Sequence, residues 1–223
     1  MIGVFGGTFD PIHNGHLQVA LDVKQCFALD YIHFVPCKIP VHRARPQLDE
    51  TQRLSLIKLA IKNQNGFIAD DRELKRNSPS YMIETLNSLH DQFPDQILVL
   101  MIGSDAFAKF DEWYQWREIF ERAHIMVMQR PHTNDWKGDC STQLTAEIKQ
   151  RIVNDENVSP LKKSGNLQQL LAKKSAGSII CVPVTQLEIS ASEIREKITK
   201  GQAIDYLVPE SVRLEIRDKH YYQ

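Results

Sequence analysis

The chain has 223 residues, and 27 Lys plus Arg against 28 Asp plus Glu leave a net charge of −1. That balance lacks the basic excess with which a general nucleic-acid binder neutralises phosphates, though it leaves room for a local phosphate pocket. With 42% hydrophobic and 25% charged residues, the composition excludes a collagen-like, disulfide-scaffold or disordered chain, and a chain of this length buries about 70% of its unfolded surface without disulfides.

In chain order, a short apolar run at residues 2–5 reads as a buried strand. It leads directly into Gly6-Gly7-Thr8-Phe9-Asp10-Pro11-Ile12-His13-Asn14-Gly15-His16, and a helix-period stretch follows at 17–28 with Leu17, Ala20, Leu21, Phe27 and Ala28 on one face. A second strand is predicted at 31–35. Helices are predicted at 51–62, with Leu54, Ile57 and Ile61 inward, and at 81–93, with Met82, Leu86 and Leu89 inward. Further apolar runs at 97–102, 125–128 and 179–182 complete a set of strands buried on both faces, which is the signature of a parallel sheet covered by helices. Residues 133–177 are polar and read as a surface excursion between two strands. Ser190-Ala191-Ser192-Glu193 fits a capping box opening a helix through Ile194 and Ile198, and Pro209 opens another with Val212 and Ile216 inward. The alternation implies an α/β, Rossmann-like, doubly wound and mainly parallel sheet with helices on both faces. Residues 1–223 are expected to form a single domain, with 190–223 as its C-terminal helical part.

Cys26, Cys37, Cys140 and Cys181 form no CxxC pair, so neither a zinc ribbon nor a thioredoxin-type site is encoded locally, and they read as reduced thiols. The start of the chain carries no basic n-region with a long apolar stretch, and no run approaches the roughly 20 residues that span a bilayer. A soluble, cytoplasmic protein is expected.

The segment from Gly6 to His16 is the richest in chemistry. It joins a strand end to a helix start, the edge of an α/β sheet where ligands bind. Glycines let the backbone approach a ligand, and a helix N-terminus offers free N–H groups and partial positive charge to an anion. His13 and His16 lie one turn apart, so both rings can face the same anion. The segment is not a P-loop, a G-x-G-x-x-G fingerprint or an H-E-x-x-H zinc motif. A single histidine here would read as a capping or surface residue; two beside a double glycine favour function. A metal would need more ligands than Asp10, the local candidate, so no metal site is expected.

These residues resemble the signature of the nucleotidyltransferase superfamily that carries an H-x-G-H motif, here His13-Asn14-Gly15-His16. Over nearly the full length the chain resembles bacterial nicotinate-nucleotide adenylyltransferases. The matches include Pro40-Val41-His42-Arg43, Glu73-Leu74-Lys75-Arg76, Ser78-Pro79-Ser80-Tyr81, Ile102-Gly103-Ser104-Asp105, Trp113-Tyr114, Arg130-Pro131 and the run from Ile189 to Arg195. The pairing of residues 78–81 with Trp113-Tyr114 is what narrows the superfamily to the nicotinate enzymes.

The resemblance implies adenylyl transfer from ATP to nicotinate mononucleotide, giving deamido-NAD and pyrophosphate in NAD biosynthesis. The acceptor phosphate would attack the α-phosphate in line, with no enzyme nucleophile and with Mg²⁺ escorting the triphosphate. His16 and His13 are the implied catalytic residues. ATP would be held by Gly6, Gly7, Thr8, His13, His16, Gly103, Asp105, Ser190, Ser192 and Arg195. Ser192 stands where the family often has Thr, and the hydroxyl is kept. Read alone, Ser190 to Arg195 would pass for an ordinary capped helix, and Asp105 for an N-cap.

Nicotinate mononucleotide would meet Lys38, His42, Arg43, Thr85, Trp113 and Tyr114. Trp113 would stack on the pyridine, and the main-chain N–H groups of Thr85 and Tyr114 would favour its carboxylate over an amide. A solvated basic loop competes for Lys38, where Val41 replaces a proline the family often carries, and a core-filling role competes for Trp113. Trp116 reads as packing. The alternatives are nicotinamide-mononucleotide or phosphopantetheine adenylyltransferase activity, or a non-catalytic nucleotide sensor. The expected partners are the two substrates, with no nucleic acid and no membrane, in a monomer or small homo-oligomer.

Overall fold

The computed structural model describes residues 1–39, 45–129, 144–153, 171, 173–185 and 187–223. Six parallel strands form its sheet: β1 (Ile2–Gly7), β2 (Tyr31–Pro36), β3 (Phe67–Ala69), β4 (Leu98–Gly103), β5 (Ala123–Gln129) and β6 (Ile179–Pro183), in the order β3-β2-β1-β4-β5-β6. Between them run α1 (Asn14–Cys26), α2 (Glu50–Ile61), α3 (Met82–Gln92), α4 (Ser104–Phe107), α5 (Trp116–Arg122) and α6 (Ala146–Lys149). The helices α7 (Ala191–Thr199) and α8 (Glu210–Asp218) follow β6. Among the described residues no helix is long and apolar enough to cross a membrane.

The strands are apolar on both sides because both sides are covered. In β4, Val99 and Met101 point into the cluster beneath α1, α2 and the C-terminal helices, whereas Leu98, Leu100 and Ile102 point into the cluster beneath α3 and α5. β1 pairs with β2 from Ile2↔Tyr31 to Gly7↔Pro36, and with β4 from Ile2↔Leu98. The chain order reverses between β1 and β4, so a crevice opens beyond the carboxyl ends of those two strands.

Five of the six strands lie where the apolar runs predict them. The three-residue β3 carries no such run and is not anticipated. The first helix begins at Asn14 rather than residue 17 and buries Val19, Ala20 and Val23; Ala28 lies beyond it with φ +48°. In α2 the inward face is Arg53, Leu56, Ile57 and Ile61, and Leu54 is only half-buried. Of the excursion at 133–177, the greater part lies outside the described residues. Its described part is tied to the sheet by the fully buried His124, which donates from Nε2 to the Lys174 carbonyl at 2.9 Å and accepts the Ser178 N–H on Nδ1 at 3.2 Å. Ser190 caps α7 by accepting the Glu193 N–H at 3.2 Å, and Pro209 caps α8.

Candidate active site

A cleft of about 1070 Å³ lies over the carboxyl ends of β1 and β4. Its floor is the Gly6-Gly7 bend. A Cβ on Gly7 would come within 2.8 Å of Phe9 Cζ, against a ring that is itself wedged, whereas one on Gly6 would meet, at 2.7 Å, only the flexible end of Met82. Phe9 itself sits at φ +50°, a conformation a non-glycine residue holds only when its surroundings fix it. Its ring is wedged edge-on between Phe5 at 5.6 Å and His16 at 5.1 Å.

The bend delivers His13 to the N-cap of α1 and His16 to its third residue. The two rings stack with centroids 3.6 Å apart and planes 27° from parallel. The His13 main-chain N–H donates to His16 Nδ1 at 3.3 Å. A main-chain N–H can only donate, so the neutral His16 ring carries its proton on Nε2. His13 is 7% exposed, and burial pushes its pKa down to about 4, so the free site holds it neutral at pH 7. Its Nδ1 is buried with no hydrogen-bond partner among the described residues. Gly15 makes room for this stack, since a Cβ there would lie 3.0 Å from His13 Nδ1.

The opposite wall is the start of α7. Arg195 donates from Nη1 to the Asp10 carbonyl at 2.6 Å and from Nη2 to Ser192 Oγ at 3.1 Å. A helix N-terminus, a hydroxyl and a guanidinium thus face the same cleft as the two imidazoles, a set suited to several phosphate oxygens at once. All ten residues expected around ATP line this cleft: Gly6, Gly7, Thr8, His13, His16, Gly103, Asp105, Ser190, Ser192 and Arg195.

At the other end, Trp113 lines the cleft and packs at 5.4 Å on Phe110, while Tyr114 is half-exposed and lies at 4.4 Å against Tyr81. Trp116 is buried and packs on Phe110 and Phe120, as expected. Two of the residues expected at this end, Thr85 and Lys38, do not line the cleft. Thr85 is fully buried beneath the wall rather than on it. Its hydroxyl donates to Glu73 Oε1 at 2.6 Å and accepts from Arg76 Nη2, and its N–H bonds within the helix to the Tyr81 carbonyl at 3.4 Å. Lys38 is turned away from the cleft because its ammonium donates to the Arg76 carbonyl at 2.7 Å. Both therefore support the wall. His42 and Arg43 lie outside the described residues.

The cleft also contains groups that sequence reasoning missed. Glu73 lines it at 3% exposure, and burial pushes its carboxyl above the usual range against hydrogen bonds from Thr85 and Ser80 and the charge of Arg76. Arg45 and Lys109 add cationic charge to its rim. Beneath the bend, Arg53 is 1% exposed and donates to three main-chain carbonyls: Thr8 at 2.7 Å, Cys37 at 2.6 Å and Leu48 at 3.3 Å. An arginine at an inward helix position was the available signal.

Among the described residues no three His, Cys, Asp or Glu side chains gather as metal ligands. The Asp10 carboxylate accepts from Tyr222 and from the Gln47 and Leu48 N–H groups.

Comparison with known proteins identifies the family. The cytidylyltransferase-like family matches residues 4–197. A protein of Hydrogenovibrio crunogenus named "Probable nicotinate-nucleotide adenylyltransferase" is 37% identical, with 100% of this chain and 98% of that protein covered. One of the same name from Methylococcus capsulatus is 38% identical, with 95% of this chain and 94% of that protein covered. Among solved structures, the Plasmodium falciparum nicotinic acid mononucleotide adenylyltransferase complexed with NaAD superposes with a TM-score of 0.67 at 18% identity, covering 99% of this chain and 96% of that one. That likeness speaks to the fold.

Proposed function

The chain belongs to the nicotinate-nucleotide adenylyltransferases within the cytidylyltransferase-like family, and from that membership we propose that it transfers the adenylyl group of ATP to nicotinate mononucleotide in NAD biosynthesis. One observation carries this assignment beyond family membership. The two stacked imidazoles and Arg195 open onto a single cleft, with an aromatic end formed by Trp113 and Tyr114.

An oxygen of the acceptor 5′-phosphate attacks the α-phosphorus of ATP in line. The bond from that phosphorus to the bridging oxygen of the leaving pyrophosphate breaks, and the dinucleotide and pyrophosphate are the two products. No covalent enzyme intermediate is required, so the protein contributes position and charge stabilisation. His16, with its proton on Nε2, donates to the triphosphate as charge builds on the leaving group. His13, neutral in the free site, gains a proton-favouring partner when an anion arrives beside it. Arg195 and the hydroxyls of Ser190 and Ser192 hold the phosphates from α7. Gly103 and Asp105 receive the adenosine, with the Asp105 carboxylate accepting from ribose hydroxyls. Mg²⁺ enters with ATP as part of the substrate and offsets phosphate charge.

The acceptor base stacks on Trp113, with the main chain at Tyr114 beside its carboxylate. Thr85, Glu73 and Arg76 hold that wall in place. His42 and Arg43 remain candidates for the acceptor phosphate. We take residues 1–223 as one nucleotidyltransferase domain acting in the cytoplasm on small molecules.

The test is pyrophosphate release with ATP and each of three acceptors: nicotinate mononucleotide, nicotinamide mononucleotide and phosphopantetheine. The acid mononucleotide is expected to give the highest kcat/KM. Preference for phosphopantetheine defeats the assignment, and equal use of acid and amide removes the role given to the Tyr114 wall.

A further inference from the structure

Asp10 sits behind the histidines, and its acceptors are engaged by distant parts of the chain. One carboxylate oxygen takes the Tyr222 hydroxyl at 2.7 Å and the Leu48 N–H at 3.3 Å, and the other takes the Gln47 N–H at 2.8 Å. Its main-chain carbonyl takes Arg195 at 2.6 Å. Asp10 is 4% exposed and Tyr222 is 9% exposed. The C-terminal part of the chain also grips the first of the two residues between the histidines: the Asn14 N–H donates to the Leu207 carbonyl at 2.9 Å, and Asn14 Nδ2 to the Tyr206 carbonyl at 2.6 Å.

We propose that Tyr222 is a positioning residue for adenylyl transfer, its hydroxyl acting through Asp10 to hold Arg195 and the His13–His16 pair in register. The proposal rests on the adenylyltransferase reading of the cleft. Tyr222 does not line the cleft. Its ring is packed into the core cluster that includes Phe9, Ile12 and Ile194, so the ring secures folding and the hydroxyl is left to fix Asp10. Burial, and the Asp10 carboxylate beside it, keep the hydroxyl protonated well above the ordinary tyrosine range, so it remains a donor wherever the enzyme works. Without that donor the carboxylate keeps, among the described residues, the main-chain N–H groups of Gln47 and Leu48. Asp10 can then turn, and its carbonyl carries Arg195 with it. A displacement too small to affect ground-state binding matters to in-line alignment, where the tolerance is tight.

The test compares wild type, Tyr222→Phe, Asp10→Asn and the double variant. It measures kcat, KM for ATP, Kd for a non-hydrolysable ATP analogue and Tm. Tyr222→Phe is expected to lower kcat about tenfold while KM for ATP and the analogue Kd move less than about threefold. The double variant is expected to be no slower than Asp10→Asn alone, because the two changes break one contact. A kcat within about twofold of wild type in Tyr222→Phe, or a lowered Tm with unchanged kcat, overturns the proposal. Asp10→Asn weakens the same contact from its other side, so near-normal kcat in that variant overturns it as well. A wild-type chain that releases no pyrophosphate with any acceptor overturns both this proposal and the functional reading. With wild-type turnover established, failure in the variants overturns this proposal alone.

Discussion

His13 and His16 lie ring on ring, 3.6 Å between centroids, with the main-chain N–H of the first bonded to Nδ1 of the second. At that separation two imidazolium ions repel strongly, so the free cleft cannot hold both charged. A polyphosphate between them and Arg195 removes the objection by supplying negative charge. The pair and the helix start are thus suited to an anion.

His16→Ala is expected to lower kcat by roughly a thousandfold, the scale on which loss of one preorganised donor to developing charge is felt. His16 is only half-buried, so the variant should unfold at nearly the wild-type temperature. Near-normal turnover in pyrophosphate-release kinetics would refute the role given to His16.

The pH dependence of stability follows from His13. Its value is 6.5 in an unfolded chain and about 4 in the folded one. Between those limits the unfolded state takes up a proton that the folded state refuses. Stability is therefore full above pH 6.5 and is lost as pH falls towards 4, by about 2 kcal/mol at pH 5. Asp70 does not imitate this. Burial would raise its carboxyl, but hydrogen bonds from His33 and Arg72 win and hold it below 3.8, so its contribution persists at pH 5. Urea unfolding of wild type and His13→Gln at pH 7 and pH 5 checks the sign: the loss should be smaller in the variant. A loss of equal size in both places its origin elsewhere.

Gly15→Ala separates stability from activity. Alanine favours the helix by about 1 kcal/mol over glycine, but its methyl would lie 3.0 Å from His13 Nδ1 and 3.1 Å from Cε1. The ring must yield. Tm is expected to stay within about 3 °C of wild type, while kcat falls about tenfold or more because the stack is displaced. A variant with lower Tm and intact kcat would show that the stack can shift without consequence.

The sequence was most legible where local chemistry and global position coincide. Gly6, Gly7, His13 and His16 fall within the one segment from Gly6 to His16, so one strand–helix junction announces them together. Ser190, Ser192 and Arg195 share one capped turn, but only the family resemblance marked that turn as more than an ordinary helix start. The resemblance likewise singled out Trp113 and Tyr114. What could not be read are contacts whose meaning is set by distance through space. The ammonium of Lys38 reaches the Arg76 carbonyl, a contact its charge alone does not announce. The hydroxyl of Thr85 faces inward onto Glu73, twelve positions away. Tyr222 stands 212 positions from Asp10, and no local pattern joins them. The strand β3 escaped because three residues are too few to show a period.

Arg53 gives the last prediction. Its guanidinium spans the carbonyls of Thr8, Cys37 and Leu48, tying together the loops after β1 and β2 and the turn before α2. Two effects oppose each other in Arg53→Met. Removing a buried cation relieves its desolvation cost, which by itself is worth several kcal/mol. It also strips three main-chain carbonyls of their donor, that of Leu48 buried and those of Thr8 and Cys37 partly buried, at about 1–3 kcal/mol for a buried one and less for the others, and loses hydrogen bonds of the stronger, charge-assisted kind. The second effect should win, because the carbonyls belong to three separate loops and no single methionine can satisfy them. A net loss of about 3 kcal/mol in urea unfolding is expected. Arg53→Lys keeps the charge but lacks the planar fork, so it can reach one carbonyl well and not three. It should therefore fall on the same side as methionine rather than near wild type. Wild-type stability in Arg53→Met would mean that the loops hold their places without the guanidinium.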